Sequence, residues 1–208
     1  MAVRVELRAV PAVSQEEKRR QILEAAVRAF ARKGYHACRV GEIAEEAGVA
    51  YGLVYHYFGS KEEVLQTIFR ETWTQMLARI SELEAEKDPA SEQVRKVTAL
   101  ILRTWTRDPN LVRVLVREVT RSPEQLQQQI DEIGHAYEAL ERIIRRGQQA
   151  GEFRREVDPQ LAATIFYGAL EEVLTGWVMG QLPAGEDDVA KAEQATVALL
   201  CDGLLTRS

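Results

Sequence analysis

Apolar residues recur at spacings of three and four along most of the chain, and no segment shows the alternation of a half-buried strand. Polar residues followed by proline, as in Asp88-Pro89, Asp108-Pro109, Ser122-Pro123 and Asp158-Pro159, predict helix starts. The pattern therefore predicts an all-α fold of about nine helices. Their predicted ranges are 14–33, 40–47, 51–57, 60–86, 90–106, 109–121, 123–149, 159–180 and 186–205.

The composition is that of a folded globular protein, because 46% of the 208 residues are apolar and 28% are charged. No apolar run approaches the ~18 residues of a membrane helix. Arg4, Glu6 and Arg8 interrupt the stretch that a signal peptide would keep apolar. We therefore expect a cytoplasmic protein that does not enter a membrane. Two cysteines and three histidines predict neither a disulfide scaffold nor a metal site, and no cofactor is expected.

The net charge of −5 hides a division along the chain. Residues 1–61 carry ten basic and seven acidic side chains, whereas 62–208 carry 17 basic and 25 acidic ones. An acidic remainder is compatible with a nucleic-acid-binding N-terminal part, since only the surface near the nucleic acid must be basic.

The segment VGEIAEEAGVAYGLVYHYF, from Val40 to Phe58, predicts two short helices joined by a tight turn. Ala44 suits the helix crossing, Gly48 a turn with positive φ, and Val54 the shared core. The second helix then exposes a set of residues suited to a groove: Tyr51, Gly52, Leu53, Tyr55 and His56. A small helical hairpin with these aromatics in its core is the alternative, and we expect Tyr57 and Phe58 to be partly core.

The next residues, Ser60-Lys61-Glu62-Glu63, form a capping box that begins a new helix. The whole run GYHACRVGEIAEEAGVAYGLVYHYFGSKEEVL resembles the DNA-binding domain of the TetR family of transcriptional repressors. The resemblance implies base contacts by Tyr51, Gly52 and Leu53, and phosphate contacts by four residues. Those four are Arg39, Tyr55, His56 and Lys61. Ala50 departs from the family, which usually has a capping Ser or Thr there.

The resemblance also implies a domain order. It comprises a flexible tail at 1–13, a helix-turn-helix DNA-binding domain at 14–59 and a ligand-binding and dimerisation domain at 60–208, with 60–86 as the connecting helix. The partners implied are double-stranded operator DNA, a small effector and a second copy of the chain. We expect the homodimer to form through the last two helices, about 159–180 and 186–205, which are rich in Ala, Leu and Val. A single-domain buried core is the competing interpretation.

Arginines are concentrated between Leu100 and Arg121, in an otherwise acidic part of the chain. Guanidinium groups gathered on one helix face bind phosphates, although a solvated face paired with glutamates is the alternative. Apolar and aromatic residues in the neighbouring helices suit a pocket, unless they are simply core. The candidate ligand residues are Arg103, Trp105, Arg113, Arg117, Ile133, Tyr137, Phe166 and Leu170.

Three further segments, NLVRVLVREVTRS, EALERIIRRGQQAGEF and IFYGALEEVLTGWVM, resemble the effector domain of the FadR-type fatty-acid-degradation branch of the TetR family. This resemblance implies a long-chain acyl-CoA effector and control of fatty acid degradation genes. The rival is a repressor of a multidrug efflux pump that senses lipophilic drugs through Tyr137, Glu171 and Glu172.

Other classes of protein have less support in the sequence. An enzyme is not expected, because no G-x-S-x-G elbow, P-loop or H-E-x-x-H motif occurs and the histidines have no obvious partners. A protein-interaction module of stacked helices is the third possibility, which a steep salt dependence of DNA binding would exclude.

Overall fold

The computed structural model describes residues 14–118 and 123–204, and only the backbone of residues 123–133. The tail predicted at 1–13 lies outside the described residues. All regular structure in these ranges is α-helical, so the predicted fold class is confirmed. The helices are α1 (Gln15–Lys33), α2 (Val40–Ala47), α3 (Tyr51–Phe58), α4 (Lys61–Ala85), α5 (Ala90–Leu102), α6 (Thr104–Arg107), α7 (Pro109–Glu118), α8 (Pro123–Gln149), α9 (Pro159–Val178) and α10 (Glu186–Leu204). The helix predicted at 90–106 is divided at Arg103 into α5 and the single turn α6.

Several helix starts are capped as the sequence predicts. The Ser60 hydroxyl accepts from the Glu63 amide, and the Asp158 carboxylate accepts from the Leu161 amide at 2.7 Å. The start of α5 differs from the prediction, because Asp88 does not cap it. The amides of Ala90 and Ser91 instead donate to the carboxylate of Glu152, at 2.8 Å each. A residue distant in the chain therefore performs the expected role of Asp88.

Two larger apolar clusters organise the chain. The first joins α1, α2, α3 and the start of α4 around the fully buried Ile22, Ile43 and Val64. The second joins α5 to α10 around buried residues that include Leu102, Leu140 and Leu170. The helix α4 has 25 residues, about 38 Å at 1.5 Å per residue, and contributes side chains to both clusters. Among the described residues, none of the helices combines the length and the apolar character of a membrane-spanning segment.

Candidate functional site

The turn between α2 and α3 has the geometry that its residues predict. Gly48 ends α2 with φ 65° and ψ 33°, the left-handed conformation that favours glycine. Ala44 and Val54 are 3% and 1% exposed, so the two helices share a closed apolar core. Phe58 belongs to that core as well, and Tyr57 is half-buried against it. The hairpin therefore buries Val54 and Phe58 and leaves other α3 residues outside.

The outer face of α3 is aromatic and solvent-exposed. Tyr51 and Tyr55 are 56% and 41% exposed, and their hydroxyl oxygens lie 3.2 Å apart. That hydrogen bond raises the pKa of Tyr55 above its ordinary value, so the Tyr55 phenol stays neutral and able to donate. Gly52 and His56 are exposed beside them, whereas Leu53 packs partly on the core. The aromatic residues predicted to face outward do so.

Arg39, just before α2, and Lys61, the first residue of α4, differ in their exposure. Arg39 is exposed at the start of α2, where its amide donates to the Glu42 carboxylate at 2.8 Å. Lys61 at the start of α4 is directed inward. Its ammonium group donates to the carbonyls of Tyr35 and Cys38 at 2.7 and 2.8 Å, and lies 4.3 Å from the Tyr35 ring centre. In this structure the Lys61 side chain therefore holds the α1–α2 loop, and its phosphate contact stays a prediction.

A cavity of about 350 Å³ lies between α4, α7 and α9. Its wall is predominantly apolar, and Glu171 and Glu172 contribute carboxyl groups to it. A cavity of this size and polarity is typical of a site for a small apolar ligand. The described residues that line it are Thr72, Trp73, Met76, Ile80, Ile101, Thr104, Val112, Leu115, Val116, Tyr167, Gly168, Glu171, Glu172, Leu174 and Thr175.

The charged groups on the described wall of this cavity are all acidic. Burial raises the pKa of the Glu171 carboxyl above its ordinary value, and the neighbouring Glu172 adds to the effect. Glu171 also raises the pKa of Tyr137 and Tyr167, in both cases after the larger effect of burial. The described wall therefore places two neighbouring carboxyl groups next to apolar surface.

The predicted apolar ligand residues do not line this cavity. Phe166 and Leu170 are 2% and 0% exposed in the core. Trp105 packs on Trp177 with ring centres 5.9 Å apart, and its Nε1 donates to a backbone carbonyl. Tyr137 lies behind the wall, 4.7 Å from the Tyr167 ring centre. The side chain of Ile133 lies outside those described. Helical spacing identifies apolar residues without separating those of the core from those of a cavity wall, and the ligand contacts of these residues stay predictions.

The predicted arginine cluster is also not assembled. Arg103 pairs with the Glu193 carboxylate at 2.8 and 3.0 Å. The Arg113 guanidinium lies 5.1 Å from the Trp105 ring centre, while Arg117 donates to the Ala31 carbonyl of α1 at 3.4 Å. Each guanidinium has a different partner in this structure, and a common phosphate site of these arginines stays a prediction.

The cavity residues that sequence reasoning missed come largely from α4. Trp73, Met76 and Ile80 belong to the apolar repeat from Val64 to Ile80, which we interpreted only as a connecting helix. The available signal was the length of that repeat. A helix that only connects two units does not require an apolar face along its whole length, so the continued repeat indicated further packing or a cavity wall.

Helix α7 lies between the cavity and the α1–α4 cluster. Val112 and Val116 line the cavity, whereas Val114 is 1% exposed inside the α1–α4 cluster. Leu115 contacts both. At the end of α7, the Glu118 carboxylate is 5% exposed and accepts from the Tyr35 amide at 3.3 Å. One short helix thus joins the cavity wall to the helices that carry α3.

Comparison with known proteins gives two family matches. The model described as bacterial regulatory proteins, tetR family, matches residues 22–68. The model described as YsiA-like protein, C-terminal region, matches residues 69–203.

The relatives span nearly the whole chain. The fatty acid metabolism regulator protein of Bacillus subtilis is 35% identical over 185 residues, which cover 88% of this chain and 94% of the relative. A crystal structure of FadR from Bacillus subtilis in complex with stearoyl-CoA is 33% identical with a TM-score of 0.78, and covers 88% of this chain and 98% of that one. The fatty acid degradation regulator FadR of Bacillus halodurans is 30% identical with a TM-score of 0.80, and covers 97% and 100%.

Proposed function

Because the chain belongs to the TetR family of transcriptional regulators, we propose that it is a repressor of fatty acid degradation genes that a long-chain acyl-CoA releases from DNA. In this proposal residues 14–59 bind the operator, and residues 60–208 hold the effector and dimerise. Arg39, Tyr51, Gly52, Leu53, Tyr55 and His56 would form the DNA-binding surface.

The position of α7 is the observation that carries this proposal. A ligand in the cavity contacts Val112, Leu115 and Val116, and the same helix packs through Val114 into the cluster that supports α3. Displacement of α7 therefore changes where α3 lies, because packed helices move as rigid elements. A ligand that fits the cavity only in the displaced arrangement shifts the protein away from its DNA-binding state.

The apolar lining of the cavity supports an acyl chain as the occupant. The wall includes the side chains of Trp73, Met76, Ile80 and Leu174. Among these four, only the Trp73 indole can donate a hydrogen bond, so an apolar chain fits beside them. The relatives support the same class, since one of them is a fatty acid metabolism regulator and the FadR structure of Bacillus subtilis contains stearoyl-CoA.

A dimer is needed for a palindromic operator, because two α3 helices must enter major grooves ~34 to 36 Å apart. The described surface offers large apolar side chains on the last two helices for this contact. Leu161 and Ile165 of α9 are 57% and 55% exposed, and Leu199 of α10 is 79% exposed. We therefore propose a four-helix interface between two copies, built from α9 and α10.

Glu171 and Glu172 favour a second candidate, a repressor that senses lipophilic cations. Carboxylates beside the aromatic rings of Trp73 and Tyr167 suit a positive charge. The two candidates share the fold, the operator and the release mechanism, and they differ in the ligand.

The test begins with selection of operator duplexes from a random library by the full-length protein. The selected duplex is then titrated in the presence of oleoyl-CoA, coenzyme A or dodecyltrimethylammonium. We expect oleoyl-CoA alone to weaken operator binding, by about tenfold or more. Release by the alkylammonium with no effect of oleoyl-CoA would replace the acyl-CoA proposal with the second candidate.

A further inference from the structure

The two exposed tyrosines of α3 contact each other. Tyr51 and Tyr55 are four residues apart, so they lie on one face of the helix. Their hydroxyl oxygens are 3.2 Å apart and their ring centres are 5.2 Å apart. Among the described residues the Tyr55 hydroxyl bonds no other group, so its position depends on Tyr51.

Tyr51 is restrained from a second side by α2. Gly41 lies in the first turn of α2, and a Cβ added there would be 3.9 Å from two ring carbons of Tyr51. The ring therefore lies next to bare backbone at the start of α2. In a helix-turn-helix unit the first helix crosses the DNA backbone, while the second lies in the major groove. By this geometry the Tyr51 ring lies on the side of α3 where that backbone passes.

A pair of bonded phenols offers one free proton. Each phenol carries a single hydroxyl hydrogen, and the bond between Tyr51 and Tyr55 uses one of the two, whichever oxygen accepts. One phosphate oxygen accepts the remaining proton, whereas separate base contacts by both phenols would require both protons. The pair is therefore suited to a single phosphate group.

We propose that Tyr51 is a positioning residue that holds the Tyr55 phenol against one phosphate of the operator, so that the pair binds the DNA backbone as a unit and reads no base. This inference rests on the proposed DNA-binding function. It gives Tyr51 a different role from the base contact that the family resemblance implies. A phenol that is already oriented loses less conformational freedom on binding, so each hydroxyl contributes to the affinity through the other.

A double-mutant cycle on operator affinity tests this coupling, with the full-length protein and a duplex that it selects from a random library. The variants are Tyr51→Phe, Tyr55→Phe and the two together, which remove the hydroxyls and keep the rings. We expect Tyr55→Phe to weaken binding about tenfold and Tyr51→Phe about fivefold, because both lose the same phosphate contact. The double variant should bind about tenfold more weakly than the unmodified protein, whereas independent contacts would give about fiftyfold.

A control cycle combines Tyr55→Phe with Tyr57→Phe. The Tyr57 ring is half-buried against the α1–α4 cluster, and its hydroxyl is not part of the bond between Tyr51 and Tyr55. The effects of these two substitutions are expected to be independent, so their factors should multiply.

Two further measurements separate a positioning role from a purely structural one and from base reading. The pKa of the Tyr55 phenol, followed by NMR of Cζ-labelled tyrosine in the DNA-free protein, should fall toward its ordinary value in Tyr51→Phe, since the bond to Tyr51 raises it. Tyr51→Ala, measured on duplexes with single base-pair changes, should weaken binding to all of them by the same factor.

Each other outcome overturns a defined part. Independent losses in Tyr51→Phe and Tyr55→Phe overturn the positioning role. An unchanged Tyr55 pKa in Tyr51→Phe overturns the hydroxyl contact on which that role depends. A loss confined to one base-pair position in Tyr51→Ala makes Tyr51 a base-reading residue instead. Failure to select any duplex overturns the proposed function and this inference together. Failure of oleoyl-CoA to release a bound duplex overturns only the proposed effector, and the cycle still decides the role of Tyr51.

Discussion

The ammonium group of Lys61 donates to backbone carbonyls of the α1–α2 loop, although a lysine at a helix start beside a DNA-binding surface favours a phosphate contact. A side chain that contacts phosphate faces the solvent-exposed DNA-binding surface, whereas Lys61 faces the α1–α2 loop. Tyr55, six residues earlier, has its hydroxyl on the exposed surface and bonds only the neighbouring phenol of Tyr51 among described residues. A lysine that contacts DNA phosphate and a lysine that holds a loop look alike in the sequence. Only the position of the α1–α2 loop next to Lys61 distinguishes the two roles.

The substitution Lys61→Met is expected to lower the free energy of unfolding by about 1 to 2 kcal/mol, because carbonyls of Tyr35 and Cys38 lose a charged donor. Chemical denaturation of the full-length protein measures this change. Tyr55→Ala is the control, and it should weaken binding to all DNA sequences alike with little change in stability. If Lys61→Met leaves stability unchanged and reduces binding to every duplex, the original phosphate assignment of Lys61 stands.

At the scale of helices, α7 has the contacts that a coupling element requires. Val116 lines the cavity and Val114 packs in the cluster that includes α1, so the two faces of α7 lie close together. Leu115, between these two residues, contacts both. Two polar links add to this packing, from Arg117 to the Ala31 carbonyl and from the Tyr35 amide to Glu118. We therefore expect an effector to act on α3 through α7 as well as along α4.

The double substitution Arg117→Gln with Glu118→Gln is expected to reduce the effect of oleoyl-CoA on operator affinity by about fivefold, a size typical of coupling between sites. Affinity for oleoyl-CoA itself should stay within a factor of two or three of the unmodified protein, since neither residue lines the described cavity wall. Operator titrations with and without oleoyl-CoA measure the effect. Asn110→Ala, at the opposite end of α7, is the control. An undiminished release would assign the coupling to α4 alone.

At the scale of the whole molecule, the apolar surface of α9 and α10 has no covering element among the described residues. Ile165 and Leu199 expose more than half of their side chains, at 55% and 79%. Large aliphatic side chains in this condition on two adjacent helices are typical of a subunit interface.

We expect Ile165→Glu with Leu199→Glu to convert a dimer into a monomer, because a carboxylate placed in an apolar interface loses its water without a partner. Sedimentation velocity measures the mass, and the same preparation should lose binding to a palindromic operator. Gln75→Glu adds a charge to an exposed position of α4 and should leave the dimer intact. A dimer that persists in the double variant would place the interface elsewhere.

The features that the sequence determined are those that neighbouring residues decide. The spacing of apolar positions predicted the helices, Ser60 and Asp158 predicted their starts, and Gly48 predicted the turn before α3, because each depends on residues within about one or two helical turns. The match to a known family depended on the same local run of residues. Within the described residues the structure confirms the helices, these caps and the turn, apart from the cap at Asp88 and the break at Arg103, and the comparisons confirm the family.

The composition of the cavity was decided only by tertiary structure. Helical periodicity identifies an apolar face, but it does not show whether that face meets another helix, as Phe166 does, or a cavity, as Trp73 does. The same holds for charge, since Arg103 meets Glu193 ninety positions further along the chain. Glu152 caps α5 from a comparable distance in sequence. Such contacts depend on how the helices pack, because packing brings together residues whose separation along the chain carries no local signal.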